Sequence, residues 1–175
     1  PEALQPENRF NDAKCDAAGR LWAGTMSLDA TRQSGALYRI SPDYHWQRMD
    51  QPFTISNGLD WSPDGRTFYF TDSGAGCIYA YPCNPETGAL GKRRLFAQID
   101  PGDGRPDGLT VDAEGCIWSA LWDGWCVRRF DPNGRMVQDL RVPVPRPTSV
   151  AFGGANMKTL FITSARVRVP ANILS

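Results

Sequence analysis

The sequence predicts an all-β chain folded as a β-propeller. Three observations lead there. One strand-turn-strand unit recurs along the chain. Its anchor residues Asn11, Asn57, Asp107 and Thr148 lie 46, 50 and 41 residues apart, the scale of one four-stranded blade, roughly 40–50 residues. The 17 Gly and 14 Pro are scattered along the 175 residues, which leaves room for short strands and turns rather than long helices.

The clearest copy of the unit is Ser56-Asn57-Gly58-Leu59-Asp60-Trp61-Ser62-Pro63-Asp64-Gly65, running into the aromatic strand Thr67–Asp72. Asn11–Arg20 repeats it and continues into Leu21-Trp22-Ala23-Gly24-Thr25. Asp107–Gly115 repeats it again and continues into Cys116–Ala120. Thr148–Gly154 with Thr159–Ser164 is a weaker fourth copy. A third strand follows in three units, at Gly35–Ile40, Cys77–Tyr81 and Trp125–Phe130. Each ends in a Pro- or Asn-Gly-bearing turn, where the chain must reverse. Outer strands are expected at Trp46–Met49, Arg94–Ala97 and Met136–Val142. The count is three good blades and part of a fourth, within one propeller domain over residues 1–175. The chain opens Pro1-Glu2 without an initiator Met, and residues 166–175 carry no blade pattern. The domain is therefore expected to be incomplete at both ends.

Composition narrows the function. Apolar residues make up 41% and charged residues 22%, and formal net charge is zero. No basic footprint calls for nucleic acid or an anionic membrane. No apolar run approaches the roughly 18 residues of a membrane helix. Five cysteines without a C-x-x-C pair exclude zinc-site spacing. They read as buried, reduced thiols of a cytoplasmic protein. His45, the single histidine, falls in an outer turn and suits no catalytic triad. Lys92-Arg93-Arg94 and Arg128-Arg129 read as solvated strand edges. Trp22, Trp61 and Trp118 read as core. Trp122-Asp123-Gly124-Trp125 follows an inner strand at a turn, where it would line the mouth of a central site.

Each anchor stands just before an inner strand. Inner strands begin near the propeller axis, so anchors from successive blades converge on one spot. All four carry oxygen donors, and Asp107 is charged. Calcium and magnesium take oxygen ligands, and zinc or manganese accept a small oxygen site with open positions. Taken singly, each anchor would equally well cap a turn.

Five motifs in order, Arg9-Phe10-Asn11-Asp12, Ala23-Gly24-Thr25-Met26, Gly35-Ala36-Leu37-Tyr38, Ser56–Ser62 and Pro106-Asp107-Gly108-Leu109, resemble the SMP-30/gluconolactonase/luciferin-regenerating-enzyme family. The resemblance implies a six-bladed propeller, of which this chain covers about four blades. It implies one divalent metal, Ca2+ or Zn2+ with Mg2+ or Mn2+ as alternatives, held by Asn57 and Asp107. A third family ligand, a Glu, would precede Pro1, and Glu2 and Glu7 do not stand where the family places it. The resemblance further implies Arg9, Asn11 and Asp29 as substrate contacts, and a sugar lactone as substrate. Asp107 would then serve as general base beside a metal that polarises the lactone carbonyl. The competing expectation is a truncated, non-catalytic propeller segment that acts as a binding module.

Overall fold

The computed structural model describes residues 1–167, 169, 170 and 173. The segment 166–175 therefore lies partly outside the described residues. Fourteen strands follow one another in chain order. They are β1 Asn8–Cys15, β2 Leu21–Ser27, β3 Gly35–Ile40 and β4 Trp46–Phe53; then β5 Ser56–Trp61, β6 Thr67–Asp72, β7 Cys77–Pro82 and β8 Arg94–Gln98. After a 3-10 turn at Pro101–Asp103 come β9 Arg105–Val111, β10 Ile117–Trp122, β11 Cys126–Phe130 and β12 Met136–Arg141, then β13 Pro147–Gly153 and β14 Thr159–Ser164. Consecutive strands pair antiparallel into three four-stranded meanders and one two-stranded sheet. These are three blades and the inner half of a fourth. No helix of the described residues is long and apolar enough to cross a membrane.

The turns explain why the units repeat. Between β1 and β2, the Asp16 carboxylate accepts the amides of Ala18 and Arg20. Between β9 and β10, Asp112 accepts those of Glu114 and Cys116 in the same way. Gly19 and Gly115 close these turns at φ 77° and 81°, a conformation that side-chain-bearing residues resist. Six residues past each aspartate, an indole returns to it: Trp22 Nε1 donates to Asp16 and Trp118 Nε1 to Asp112, both at 2.9 Å.

Blades pack face to face through aromatic layers. Trp22, Phe53, Phe68, Phe70 and Tyr81 fill the space between the first two blades. Tyr69, Ile78, Phe96, Ile117, Leu121 and Phe130 fill the next. Each such side chain contributes about 1.5–3 kcal/mol by leaving water. The third interface is thinner, built on Ala120, Val127 and Val150.

Several expectations need correction. The outer strand β4 continues past Met49 to Phe53, because Phe53 is buried against Phe70 at 4.7 Å between ring centres. Trp125 is not in a strand; with φ 57° it belongs to the turn before β11. Arg93 is not a solvated edge residue, since its guanidinium lies over the Phe53 and Tyr79 rings and pairs with Asp50 at 3.4 Å. Arg128 and Arg129 are likewise committed, to Asp139 and Asp103 and to Asp112 and Glu114. Cys77, Cys83, Cys116 and Cys126 are buried and free as expected, but Cys15 is exposed.

One irregularity positions the site. Every inner strand carries a one-residue bulge at its anchor. Between the pairs Phe10↔Thr25 and Ala13↔Ala23, both Asn11 and Asp12 oppose Gly24. Gly58 is the extra residue in β5, Asp107-Gly108 oppose Ala120 in β9, and Thr148 is extra in β13. A bulge bends the strand and re-aims side chains, which brings residues of neighbouring blades into contact.

Candidate metal and substrate site

The site is a line of polar groups across three blades. The Arg9 guanidinium donates to Asn11 Oδ1 at 2.7 Å. Asn11 Nδ2 donates to Asn57 Oδ1 at 3.0 Å and to the Ser56 carbonyl at 2.7 Å. Asn57 Nδ2 donates to Ser73 Oγ at 2.8 Å, and the Ser73 hydroxyl donates to the Pro106 carbonyl at 2.5 Å, next to Asp107. Three of the expected site residues, Arg9, Asn11 and Asn57, are thus joined in one line, which ends at the carbonyl preceding Asp107. Asn57 spends one acceptor position of Oδ1 on Asn11 and keeps its second lone pair.

Asp107 titrates high, at about 7. Burial is the first cause, because it penalises the charged form, and the nearby Asp12 carboxylate is the second. The Gly108 amide offsets them only in part. Asp12 is pushed up too, by burial first, with relief from the Ala13 amide and from Lys14. Among the described residues no Lys or Arg forms an ion pair with either carboxylate. Lys14 Nζ is held by Asp60 at 2.6 Å, and Asp60 also accepts Thr110 Oγ1 and the Val111 amide. The Asp107 carboxylate and the Asn57 amide oxygen are hard-oxygen donors of the kind that divalent cations take. Asn57 and Asp107 therefore fit such an ion by the chemistry of their donors.

Other candidates are not drawn in. Asp29 stands in the turn after β2, where it accepts from Ser27 Oγ at 2.7 Å and Thr31 N at 3.1 Å and pairs with Arg32 at 3.3 Å. These bonds, with the Ser27 hydroxyl foremost, lower its pKa to about 2. Thr148 turns to Thr163 Oγ1 at 2.7 Å instead of joining the line. Glu2 accepts from Thr25 and Tyr38 hydroxyls at 2.8 and 2.9 Å and from Asn8 at 3.1 Å. It ties the start of the chain to the first blade. Trp122 ends β10 opposite Arg105, and Arg146 lies over its ring while bonding Asp123 at 2.5 Å. This places the tryptophan turn at the same end of β9 as Asp107. A second cluster, Asp112, Glu114 and Cys116, has ligand atoms within 4.8 Å of one another. The Arg129 guanidinium already serves as its cation, at 2.6 and 2.5 Å from the two carboxylates.

Two site residues escaped the sequence. Ser73 follows a strand instead of preceding one, and Asp12 sits beside an anchor instead of at one. The Asn-Asp doublet at Asn11-Asp12, where the second and third copies have Asn-Gly and Asp-Gly, was the available signal.

Comparison with known proteins places this arrangement in context. The model of the SMP-30/Gluconolactonase/LRE-like region matches residues 1–166. Regucalcin of Danio rerio is 41% identical over 174 residues, which cover 98% of this chain and 59% of that protein. A 6-deoxy-6-sulfogluconolactonase of Pseudomonas putida is 41% identical over 160 residues, 91% of this chain and 55% of that one. The crystal structure of a calcium-binding protein, regucalcin, from Agrobacterium tumefaciens superposes with a TM-score of 0.93 at 32% identity, over 99% of this chain and 59% of its own. The chain spans under three-fifths of the length of these proteins.

Proposed function

The chain belongs to the SMP-30/gluconolactonase/LRE-like family, and from that membership we propose that its protein hydrolyses a sugar lactone at the centre of the propeller face. The observation that carries this reading is the line Arg9–Asn11–Asn57–Ser73 ending beside a carboxylate whose pKa is about 7. The names of two relatives, a sulfogluconolactonase and a calcium-binding regucalcin, support the substrate class and the ion.

Asn57 and Asp107 would hold one divalent cation, Ca2+ or Zn2+, with Mg2+ or Mn2+ also compatible with the oxygen donors. Bound there, such an ion polarises the lactone carbonyl and acidifies water. Asp107 takes the proton of the attacking water as its oxygen bonds to the carbonyl carbon. A cation held there would keep Asp107 ionised and so ready to accept that proton. The ester C–O bond then breaks, the ring oxygen gains a proton, and an aldonic acid leaves. Arg9 offers a fork of donors and Asn11 an amide to the sugar hydroxyls. Asp29 stands apart from this line, in the turn after β2, and would accept only a hydroxyl that reaches that turn.

The test is an assay with several aldonolactones across Ca2+, Zn2+, Mg2+ and Mn2+. Metal-dependent opening, lost in Asp107→Ala, is expected. Full activity in that variant would refute the mechanism. Metal-dependent stabilisation without turnover of any lactone would favour a binding module instead.

A further inference from the structure

The direction of the hydrogen-bonded line is fixed by its two ends. The Arg9 guanidinium has only donors, and the Pro106 carbonyl can only accept. The Ser73 hydroxyl has one proton, and that proton goes to the Pro106 carbonyl at 2.5 Å. Ser73 Oγ is then left as an acceptor, so the Asn57 atom that meets it at 2.8 Å must be Nδ2. From the other end, Arg9 occupies Asn11 Oδ1, and Asn11 Nδ2 is aimed at the Ser56 carbonyl and at Asn57. Asn57 must answer it with Oδ1. A reversed Asn57 amide would set two donors against each other at Asn11. It would also set two oxygens against each other at Ser73, with no proton between them. Ser73 itself is held in place by its turn and is only 6% exposed. Its amide donates to the Ile55 carbonyl at 2.9 Å. The preceding Asp72 carboxylate gathers the amides of Thr54, Ile55 and Gly74.

We propose that Ser73 is a positioning residue of the central site, whose hydroxyl locks the Asn57 amide with Nδ2 turned away and Oδ1 free to face the divalent cation. This rests on the central-site reading above, in which Asn57 and Asp107 are the ligands. Only Oδ1 has lone pairs for a cation, whereas a turned amide would present two N–H groups to it. Asn11 steers the amide from the first blade. Ser73 steers it from the second and ties it to the residue before Asp107 in the third. Groups that orient a metal ligand typically contribute about 10–100-fold to metal affinity.

The test uses the full-length protein. Calcium is titrated calorimetrically into wild type, Ser73→Ala, Asn57→Ala and the double variant, and each is also unfolded with urea in chelator. Ser73→Ala is expected to bind calcium about 10–100-fold more weakly than wild type. Added to Asn57→Ala it should cost less than about twofold more, because Ser73 acts through Asn57. The Asn57 side-chain amide is followed by NMR in chelator. It should be protected from solvent exchange in wild type and unprotected in Ser73→Ala. A serine that serves folding alone would lower the urea midpoint and leave calcium affinity unchanged, and that result overturns the proposal. If Asn57→Ala still binds weakly in that case, the central site survives and the role of Ser73 fails alone. Equal losses from Ser73→Ala with and without the Asn57 amide would place its effect elsewhere and also overturn the proposal. Should Ser73→Ala fail to fold, the wild-type amide decides, since exchange as fast as that of an exposed asparagine refutes the lock. If wild type shows no calcium response, the central site fails and the proposal with it.

Discussion

Strand β9 has an aspartate at each end, and the two live in opposite electrostatic worlds. Asp107, near its start, is buried beside another carboxylate and has one backbone amide to offset that, so it titrates near 7. Asp112, just past its end, is also penalised by burial. Yet it accepts the Trp118 indole, the Arg129 guanidinium and the Cys116 amide, which together hold it below the usual carboxylate range. Four residues, 108–111, separate a charge that the fold leaves unbalanced from one that it satisfies several times over. Unbalanced charge suits chemistry and ion binding, whereas satisfied charge suits architecture.

The contrast can be broken at its catalytic end first. Asp107→Asn should lower kcat/KM for an aldonolactone by about 10²–10⁴-fold, the usual worth of a general base, while the folded state persists. Steady-state assay alongside circular dichroism checks both parts. At the other end, Asp112→Ala should destabilise the chain by about 1–3 kcal/mol, because it leaves the Trp118 indole unpaired and takes from Arg129 one of its two carboxylates. Urea unfolding measures the loss, and activity per folded molecule should stay near wild type.

The pH dependence of stability in chelator gives a subtler contrast. The Asp107 carboxyl titrates near 7 folded against an ordinary 3.8. The folded state therefore holds an extra proton between about pH 4 and 7, and stability should fall as pH rises through that window. Asp112 is depressed below 3.8, so its contribution is complete above about pH 4 and is lost as pH falls through its folded value. Asp107→Asn should flatten the first slope and Asp112→Asn the second. Equal slopes in both variants would show that other groups dominate. The smallest effect expected is at Asp29, whose carboxylate already has partners of its own. Asp29→Asn should raise KM by less than about tenfold and leave kcat unchanged, the mark of a lost uniform binding contact.

Much of this was legible in the sequence because turns are local. Asp16 and Asp112, with Gly19 and Gly115 behind them, make their bonds within a few residues, so the repeat and the blade count could be read directly. The anchors Asn11, Asn57 and Asp107 were legible as the residues opening each inner strand. Asp12 and Ser73 were not, because the groups they act on, Asp107 and the Pro106 carbonyl, lie in other blades. Whether such residues meet depends on bulge register, which leaves no mark in side-chain alternation. Arg93 was misread for a similar reason: its neighbours Phe53 and Tyr79 come from two different blades, and nothing near it in the chain announces an aromatic surface.

The glycines after the anchors have a practical consequence. At Gly58 the second blade meets the backbone of the third, and at Gly108 the third blade meets Ser149 of the fourth, with no room for even a methyl group. The spacing of successive blades is thus fixed at these two points, and a larger residue at either would push the blades apart. Anyone seeking to retune this scaffold toward bulkier molecules would have to rebuild the rim, at turns such as Ser27–Arg32 and Trp122–Trp125, and leave the hub untouched.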